Sequence, residues 1–360
     1  MAQSEEMRLE EILKIQVPQE RVERLREWTR PDVPPGTPDE VIDYLLRQQA
    51  QFVNIQYRRF LAGIKVRQED IHELMIGSID IHAHGGSEPF ERLMLEDELA
   101  IDCTRAGMRA VVIKTWYTPS ASRNALVQRA VDRWAEEHEM TPVKVFGGVT
   151  LNRSVGGLNP EAVKRCLGFP GMKYVWLPMV DSYHHRRVVY DDLSGDGLRI
   201  VDEHYRVLPE LEEILRICAD NDLILASGHY PYEETKAVME EAKRLGVRRL
   251  EVIHPAHIHS KHSLDQMKEV AREGVKLMLS GLGALAFPLH ESGPVYAARI
   301  VQEVGADNLV YGSDFGQIHN PPHVAANRWM IQMLLAYGVS KEDVRKVFQT
   351  TPARHLGLEA

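Results

Sequence analysis

From residue 77 onward, eight short apolar runs alternate with longer amphipathic segments, and several of the runs end on a polar residue. These observations predict a (β/α)8 TIM barrel preceded by an N-terminal helical extension. The strand-like runs are SIDIH (78–82), AVVIK (110–114), VKVFGGVTL (143–151), KYVWLPM (173–179), DLILASGH (222–229), LEVIH (250–254), VKLMLSG (275–281) and NLVYGSD (308–314). Between them, FERLMLEDELAIDCTRAG, ALVQRAVDRWAEEHE, LPELEEILRICADN, YEETKAVMEEAKRLG and SLDQMKEVAREG carry helical spacing, and several close on a Gly or Asn suited to a helix C-cap. An open doubly wound sheet is the alternative, but no Gly-rich phosphate loop follows the first run.

Residues 1–75 differ in composition, being rich in Glu, Arg and Gln with helical spacing, and RPDVPPGTP divides them into two helical parts. Ile42, Leu45, Leu46, Phe52 and Ile55 fall on one helical pattern and require burial, against the main domain or against a second copy. The expected domains are thus a helical extension, 1–75, and a barrel, 76–360. One connection is long: residues 180–207 carry β-rich pieces on either side of SGDG, which predicts a hairpin inserted over the barrel mouth.

Composition narrows the function. The net charge of −9, with acidic and basic residues interspersed, argues against nucleic acid as a partner. Cys103, Cys166 and Cys218 stand singly, which argues against a disulfide framework and reads as small core residues of a reducing compartment. The first residues lack the basic and apolar regions of a secretory signal, and no apolar run approaches a membrane span. The expectation is a cytoplasmic homo-oligomer acting on a small molecule, with neither membrane nor nucleic acid as partner.

The polar residues at the run ends carry the chemistry. His82 and His84 end the first run one residue apart, and alternate residues of a strand share a face, so their imidazoles project together as half of a metal site. Lys114 ends the second run, His229 the fifth, His254 the sixth and Asp314 the eighth. Any one of them taken alone is equally well explained as a hydrogen-bonded structural residue. In a barrel, however, the C-terminal strand ends converge on one mouth, and six coincidences there define a site.

The motifs DIHAH, SGHY, VIHP and YGSDFG, on the first, fifth, sixth and eighth runs, resemble those of the amidohydrolase superfamily over about residues 77–355. The block LASGHYPYEETKAVMEEAKRLGVRRLEVIHPAH is most similar to uncharacterised amidohydrolase-related sequences. The resemblance implies a metal-dependent hydrolase in which His82, His84, His229, His254 and Asp314 are metal-site residues and Asp314 is also the catalytic proton carrier. Two-metal members usually place a carboxylated lysine or a glutamate on the fourth strand, and KYVWLPMV ends with neither. Two arrangements stay open. Lys114, desolvated and converted to a carbamate, bridges two metals; or one metal is held by His82, His84, His229 and Asp314, with His254 behind them and Lys114 as a cationic substrate clamp. Zinc is the expected divalent ion, with manganese or iron as alternatives, at one or two ions per chain. Such an ion activates a water against an amide, a cyclic imide or amide, or a lactone-type bond.

For substrate contacts the sequence offers DSYHHRR after the fourth run, where Tyr183, His184, His185, Arg186 and Arg187 face an anionic substrate or pair with the nearby YDD. Arg153, Tyr230 and His257 are further candidates. His257, His259 and His262 lie beyond His254, where one is expected to touch substrate or support the metal; a second metal tract is not expected, because the chain is read as turning into a helix there. Competing functions are a metal-dependent decarboxylase or deaminase on the same barrel, and a non-catalytic barrel with a structural metal. A modified Lys114 would favour hydrolysis.

Overall fold

The computed structural model describes residues 66–257, 259–285 and 293–358, with isolated positions between 19 and 47. Its contacts divide the chain into two compact units, Met1–Arg67 with Ala336–Gly338, and Gln68–Leu335 with Val339–Ala360. In the first unit the described positions between 19 and 47 are helical. Val22 and Leu46 are buried together, Ile42 packs on them, and Arg26 Nε reaches Asp43 Oδ1 at 2.6 Å, so the two helical parts on either side of the Pro-rich break meet each other. Leu45, Phe52 and Ile55 lie outside the described residues.

The second unit is the expected barrel. Strands β1 (Ile79–His84), β2 (Ala110–Lys114), β3 (Lys144–Thr150), β4 (Met172–Trp176), β5 (Ile224–Ala226), β6 (Arg249–Val252), β7 (Lys276–Ser280) and β8 (Leu309–Gly312) form one parallel sheet in sequence order. Parallel strands covered by helices are buried on both faces, which is why runs such as AVVIK read as continuously apolar and are buried throughout. The covering helices follow their periodicity. Asn124–Glu137 buries Val127, Val131 and Ala135 at four-residue spacing. Pro209–Asp220 starts on a proline that needs no amide partner and buries Leu211, Ile214, Leu215 and Cys218. Leu264–Arg272 opens on a capping box between Ser263 and Gln266.

The strand interior is filled by Ile79, Ile81, Val112, Tyr174, Trp176, Met278 and Val310, joined by Ala353 and Leu356 of the last helix, Thr351–Leu356. Glu251 is wholly buried there, accepts from the Tyr174 hydroxyl at 2.9 Å and meets His355 Nε2 at 3.1 Å.

The ring closes where the chain past β8 returns to β1. The Asp314 amide donates to the His82 carbonyl at 2.7 Å, and the His84 amide donates to the Phe315 carbonyl at 2.9 Å. Beneath this seam Asp80 Oδ1 accepts from the amides of His82, 3.0 Å, and Ser313, 2.9 Å. Two glycines permit the approach. A Cβ on Gly312 would stand 2.7 Å from His82 Cβ, and one on Gly316, whose φ is +133°, would stand 2.1 Å from the His84 carbonyl oxygen.

The connection after β4 departs from expectation. In place of a hairpin, residues Tyr183–Val189 form a helix capped by Ser182, and pairing is confined to isolated bridges, Ser182 with Leu198 and Val201 with Val207. The Ser182 hydroxyl accepts the His185 amide, a local N-cap bond that outcompetes the weak β-propensity of RRVVY.

The seam generates a prediction. Gly312→Ala should cost about 1–3 kcal/mol of overpacking, and Gly316→Ala should cost more, because its obstacle is backbone. Urea unfolding of both variants checks the order; equal midpoints for both variants and wild type would show that the seam tolerates a methyl group.

Candidate metal centre

His82 and His84 sit on β1, and Asp314 two residues past β8, so the closing seam brings them together. The two imidazoles stand edge-on, 5.3 Å between centroids. Asp314 Oδ1 lies 3.1 Å from His84 Nε2 and 3.5 Å from His82 Nε2, and the three groups each offer a ligand atom within 4.8 Å of the others. Both histidines are buried and held neutral, their pKa values pushed well below the ordinary range by desolvation and by the nearby Lys114 and Arg92 cations. Burial raises Asp314 to about 6 against the opposing pull of Lys114 and Arg92. Asp314 has a left-handed backbone, φ +59°, as does His254 at +28°. For non-glycine residues this costs energy, and such residues concentrate at functional sites.

A divalent cation fits these donors on one observation. His82 is fully buried, and neither of its ring nitrogens has a hydrogen-bond partner among the described residues. A neutral imidazole always presents one N–H and one lone pair, and leaving both unpaired in a dry site is costly unless a cation takes the lone pair.

Lys114 is the residue of β2 that pairs in register with His84, so the two side chains are neighbours on the sheet. It is almost wholly buried, and desolvation brings its ammonium down to about 8, with Asp314 and Glu88 opposing the shift. Arg92 and Glu88 are site residues that sequence reasoning missed. The Arg92 guanidinium stands 3.2 Å from His84 Nδ1 and 3.6 Å from Glu88, over the rings of Phe90 and Trp116. Glu88 falls in a stretch with no period to mark it, and Arg92 falls in FERLMLEDELAIDCTRAG, which reads as helical throughout although its helix begins only at Glu96.

His229 and His254 lie three and two residues past the ends of β5 and β6, with ring centroids 5.1 Å apart; His254 is also 6.0 Å from His82. Rather than joining the first group, His229 gathers with His185 and His259, again with ligand atoms within 4.8 Å of one another. The expectation for the segment after β6 is therefore corrected. Its helix begins only at Leu264, and the turns before it carry His259 onto His229 at 4.3 Å between ring centroids. His257 follows, 5.5 Å from His254 and 4.3 Å from His259.

The remaining candidates take up local duties. Arg186 is paired with Asp192 of the YDD segment, Nε to Oδ2 2.9 Å, and Arg153 is paired with Asp196. Tyr183 lies beneath the Arg199 guanidinium, 3.7 Å away, and accepts from Arg187. The buried Tyr230 donates its hydroxyl to the Leu198 carbonyl at 2.9 Å. His184 is half-buried, which lowers its pKa. Asn152 braces the loops by donating to the Trp116 carbonyl and accepting the Met179 amide.

The eight-stranded barrel described above has counterparts among known proteins. A curated relative, imidazolonepropionase from Caldanaerobacter subterraneus subsp. tengcongensis, is 27% identical over 72% of this chain, which spans 65% of that relative's length. Among solved structures, an amidohydrolase from Pseudomonas aeruginosa shares the fold at a TM-score of 0.53 and 15% identity, covering 81% of this chain and 98% of its own. An N-acetyl-D-glucosamine-6-phosphate deacetylase from Mycobacterium smegmatis does so at 0.50 and 15%, covering 79% and 77%. The chain belongs to the family of unknown function DUF6282, whose model matches residues 77–278.

The buried histidines set a pH dependence for the metal-free protein. His185, His262 and His323 are lowered from 6.5 to about 4, chiefly by burial, and burial also holds His82, His84, His229 and His254 well below 6.5. Below pH 6.5 the unfolded chain therefore binds protons that the folded chain refuses, and stability falls as pH drops toward 4. Asp80 and Asp314, raised to about 6, act in the opposite sense: their contribution is present below the ordinary carboxylate range and is lost as pH rises through 6. The histidines outnumber them, so the urea midpoint of chelator-treated protein should be lower at pH 5 than at pH 7.5. A midpoint that rises on acidification would contradict this balance.

Proposed function

We propose that this protein is a metal-dependent hydrolase that opens an amide, a cyclic imide or amide, or a lactone-type bond of a small molecule, with Asp314 as its proton carrier. The observation that carries the reading is the buried, unpaired His82 ring facing His84 and Asp314 at the barrel mouth. His82, His84 and Asp314 would hold a divalent cation, zinc being suited to these donors, and a bound ion would supply Lewis acidity toward a water and the scissile carbonyl. The Asp314 carboxyl, raised toward neutrality by burial, is placed to accept a proton from the nucleophile and return it to the leaving group. Trp116, with its ring 5.7 Å from that of His84, and the more exposed Phe90 beside it form an aromatic wall along one side of the group. Arg92 adds a cation next to His84, which favours substrates carrying an anionic group.

The supporting experiment screens amides, imides and lactones with the wild type and with Asp314→Asn. The variant should retain metal on its histidines and lose about 10²- to 10⁴-fold in kcat. Undiminished turnover in the variant would remove Asp314 from the mechanism, and a wild type that takes up no divalent metal would remove the reading altogether.

The lowered pKa of Lys114 also supports the carbamate arrangement, since the neutral amine is the form that adds carbon dioxide. Protein equilibrated with ¹³C-labelled bicarbonate and metal should show a carbamate resonance that is absent from Lys114→Met. The same spectrum from both proteins would leave Lys114 as an amine.

A further inference from the structure

The two histidines of β1 are not equivalent. His82 has no hydrogen-bond partner on either ring nitrogen among the described residues, whereas both ring nitrogens of His84 are engaged. At Nδ1 the partner is Arg92 Nη2, 3.2 Å away, and at Nε2 it is Asp314 Oδ1, 3.1 Å away. A guanidinium carries five donors and no acceptor, so Nδ1 must be the accepting atom. A neutral imidazole has one lone pair and one N–H, which places the His84 proton on Nε2, where it donates to Asp314. That tautomer turns an N–H, and not a lone pair, toward the point that His84 shares with His82 and Asp314.

Arg92 is held in this place by burial and ring contacts more than by its ion pair. It is almost wholly buried and lies over the rings of Phe90, at 4.6 Å, and Trp116, at 5.1 Å. Its 3.6 Å approach to Glu88 Oε2 is long beside the roughly 2.7–2.9 Å of a charge-assisted bond. Glu88 Oε1 accepts the Trp116 amide, while Glu88 Oε2 and Arg92 Nε are both buried without a hydrogen-bond partner among the described residues. The guanidinium thus has two seats within reach: the one it occupies on His84 Nδ1, and one on Glu88 Oε2 that would pair these two stranded atoms.

We propose that Arg92 is a positioning residue that opposes metal loading: seated on His84 it holds the imidazole in the tautomer that cannot ligate through Nε2, and its transfer to Glu88 releases that nitrogen. With the guanidinium on the carboxylate, Nδ1 is free to carry the ring proton, and Nε2 presents its lone pair beside the donors of His82 and Asp314. The inference rests on the reading of His82, His84 and Asp314 as a metal site, and adds to it that this chain's own Arg92 and Glu88 set how readily the site fills. A cation next to the site also repels an incoming ion, so the test has to separate the charge of Arg92 from its hydrogen bond.

The test first reads the tautomer in chelator-treated full-length protein labelled with ¹⁵N-histidine, where the ring-nitrogen shifts report which nitrogen carries the proton. The imidazole whose signals vanish in His84→Gln should be protonated on Nε2 in the metal-free wild type and on Nδ1 after Zn²⁺ is added. This measurement uses the wild type, so it holds whether or not a substitution at 92 is tolerated. Zn²⁺ affinity is then measured by competition with a chromophoric chelator, for the equivalent that His84→Gln loses, in variants whose circular dichroism matches the wild type. Arg92→Met and Arg92→Lys should both bind it about 10- to 100-fold more tightly than wild type; the lysine keeps the charge but is too short to span the contact with Nδ1. A metal-free His84 protonated on Nδ1, or wild-type affinity in Arg92→Lys, would overturn the proposal and leave the metal site standing. Identical Zn²⁺ uptake by wild type and His84→Gln would instead sink the metal-site reading, and this inference with it.

Discussion

The closing seam between β8 and β1 is the constraint on which the rest depends. A barrel of eight parallel strands needs its last strand to pair with its first, and here the backbone bonds that complete the ring belong to His82, His84, Asp314 and Phe315. The same few residues satisfy the fold and carry the donor atoms. Asp80 reinforces the arrangement by accepting amides from both sides of the seam, and Gly312 and Gly316 remove the side chains that would hold the strands apart. Because these side chains are fixed by main-chain closure rather than by flexible loops, their separation is set by the fold itself.

The mouth is unusual in the balance of its charges. Its histidines are numerous and buried, whereas carboxylates are few, so desolvation rather than ion pairing decides protonation. Neutral imidazoles are the metal-binding form, and the dry site provides that form at neutral pH. Asp314 is affected in the opposite direction by the same burial, which keeps its proton exchangeable near neutrality. A single physical cause, burial, therefore shifts both kinds of group, lowering the imidazoles and raising the carboxyl.

Much of this was legible in the sequence. The eight runs match β1 to β8 with shifts of a few residues at their ends, because a buried parallel strand writes a contiguous apolar signal into the chain. His82, His84 and Asp314 could be placed together because the barrel sends all C-terminal strand ends to one rim. RRVVY favours strands by propensity and so predicts a hairpin arm, while the Ser182 cap that makes Tyr183–Val189 a helix is one local bond. Glu88 stands in a stretch with no period to betray which residues turn inward, and Arg92 is hidden in a helical pattern whose first turns are loop, the helix starting only at Glu96.

By itself the sequence determined the alternation of strands and helices, the end of the barrel that carries polar groups, and the chemical character of those groups. These properties rest on short-range periodicity and on residue type, which are local. Only the tertiary structure decided that the histidines divide into two groups, with His229 leaving His82 and His84 for His185 and His259. That division depends on the paths of two connections after β4 and β6, and a connection's path is set by what it packs against rather than by its own pattern.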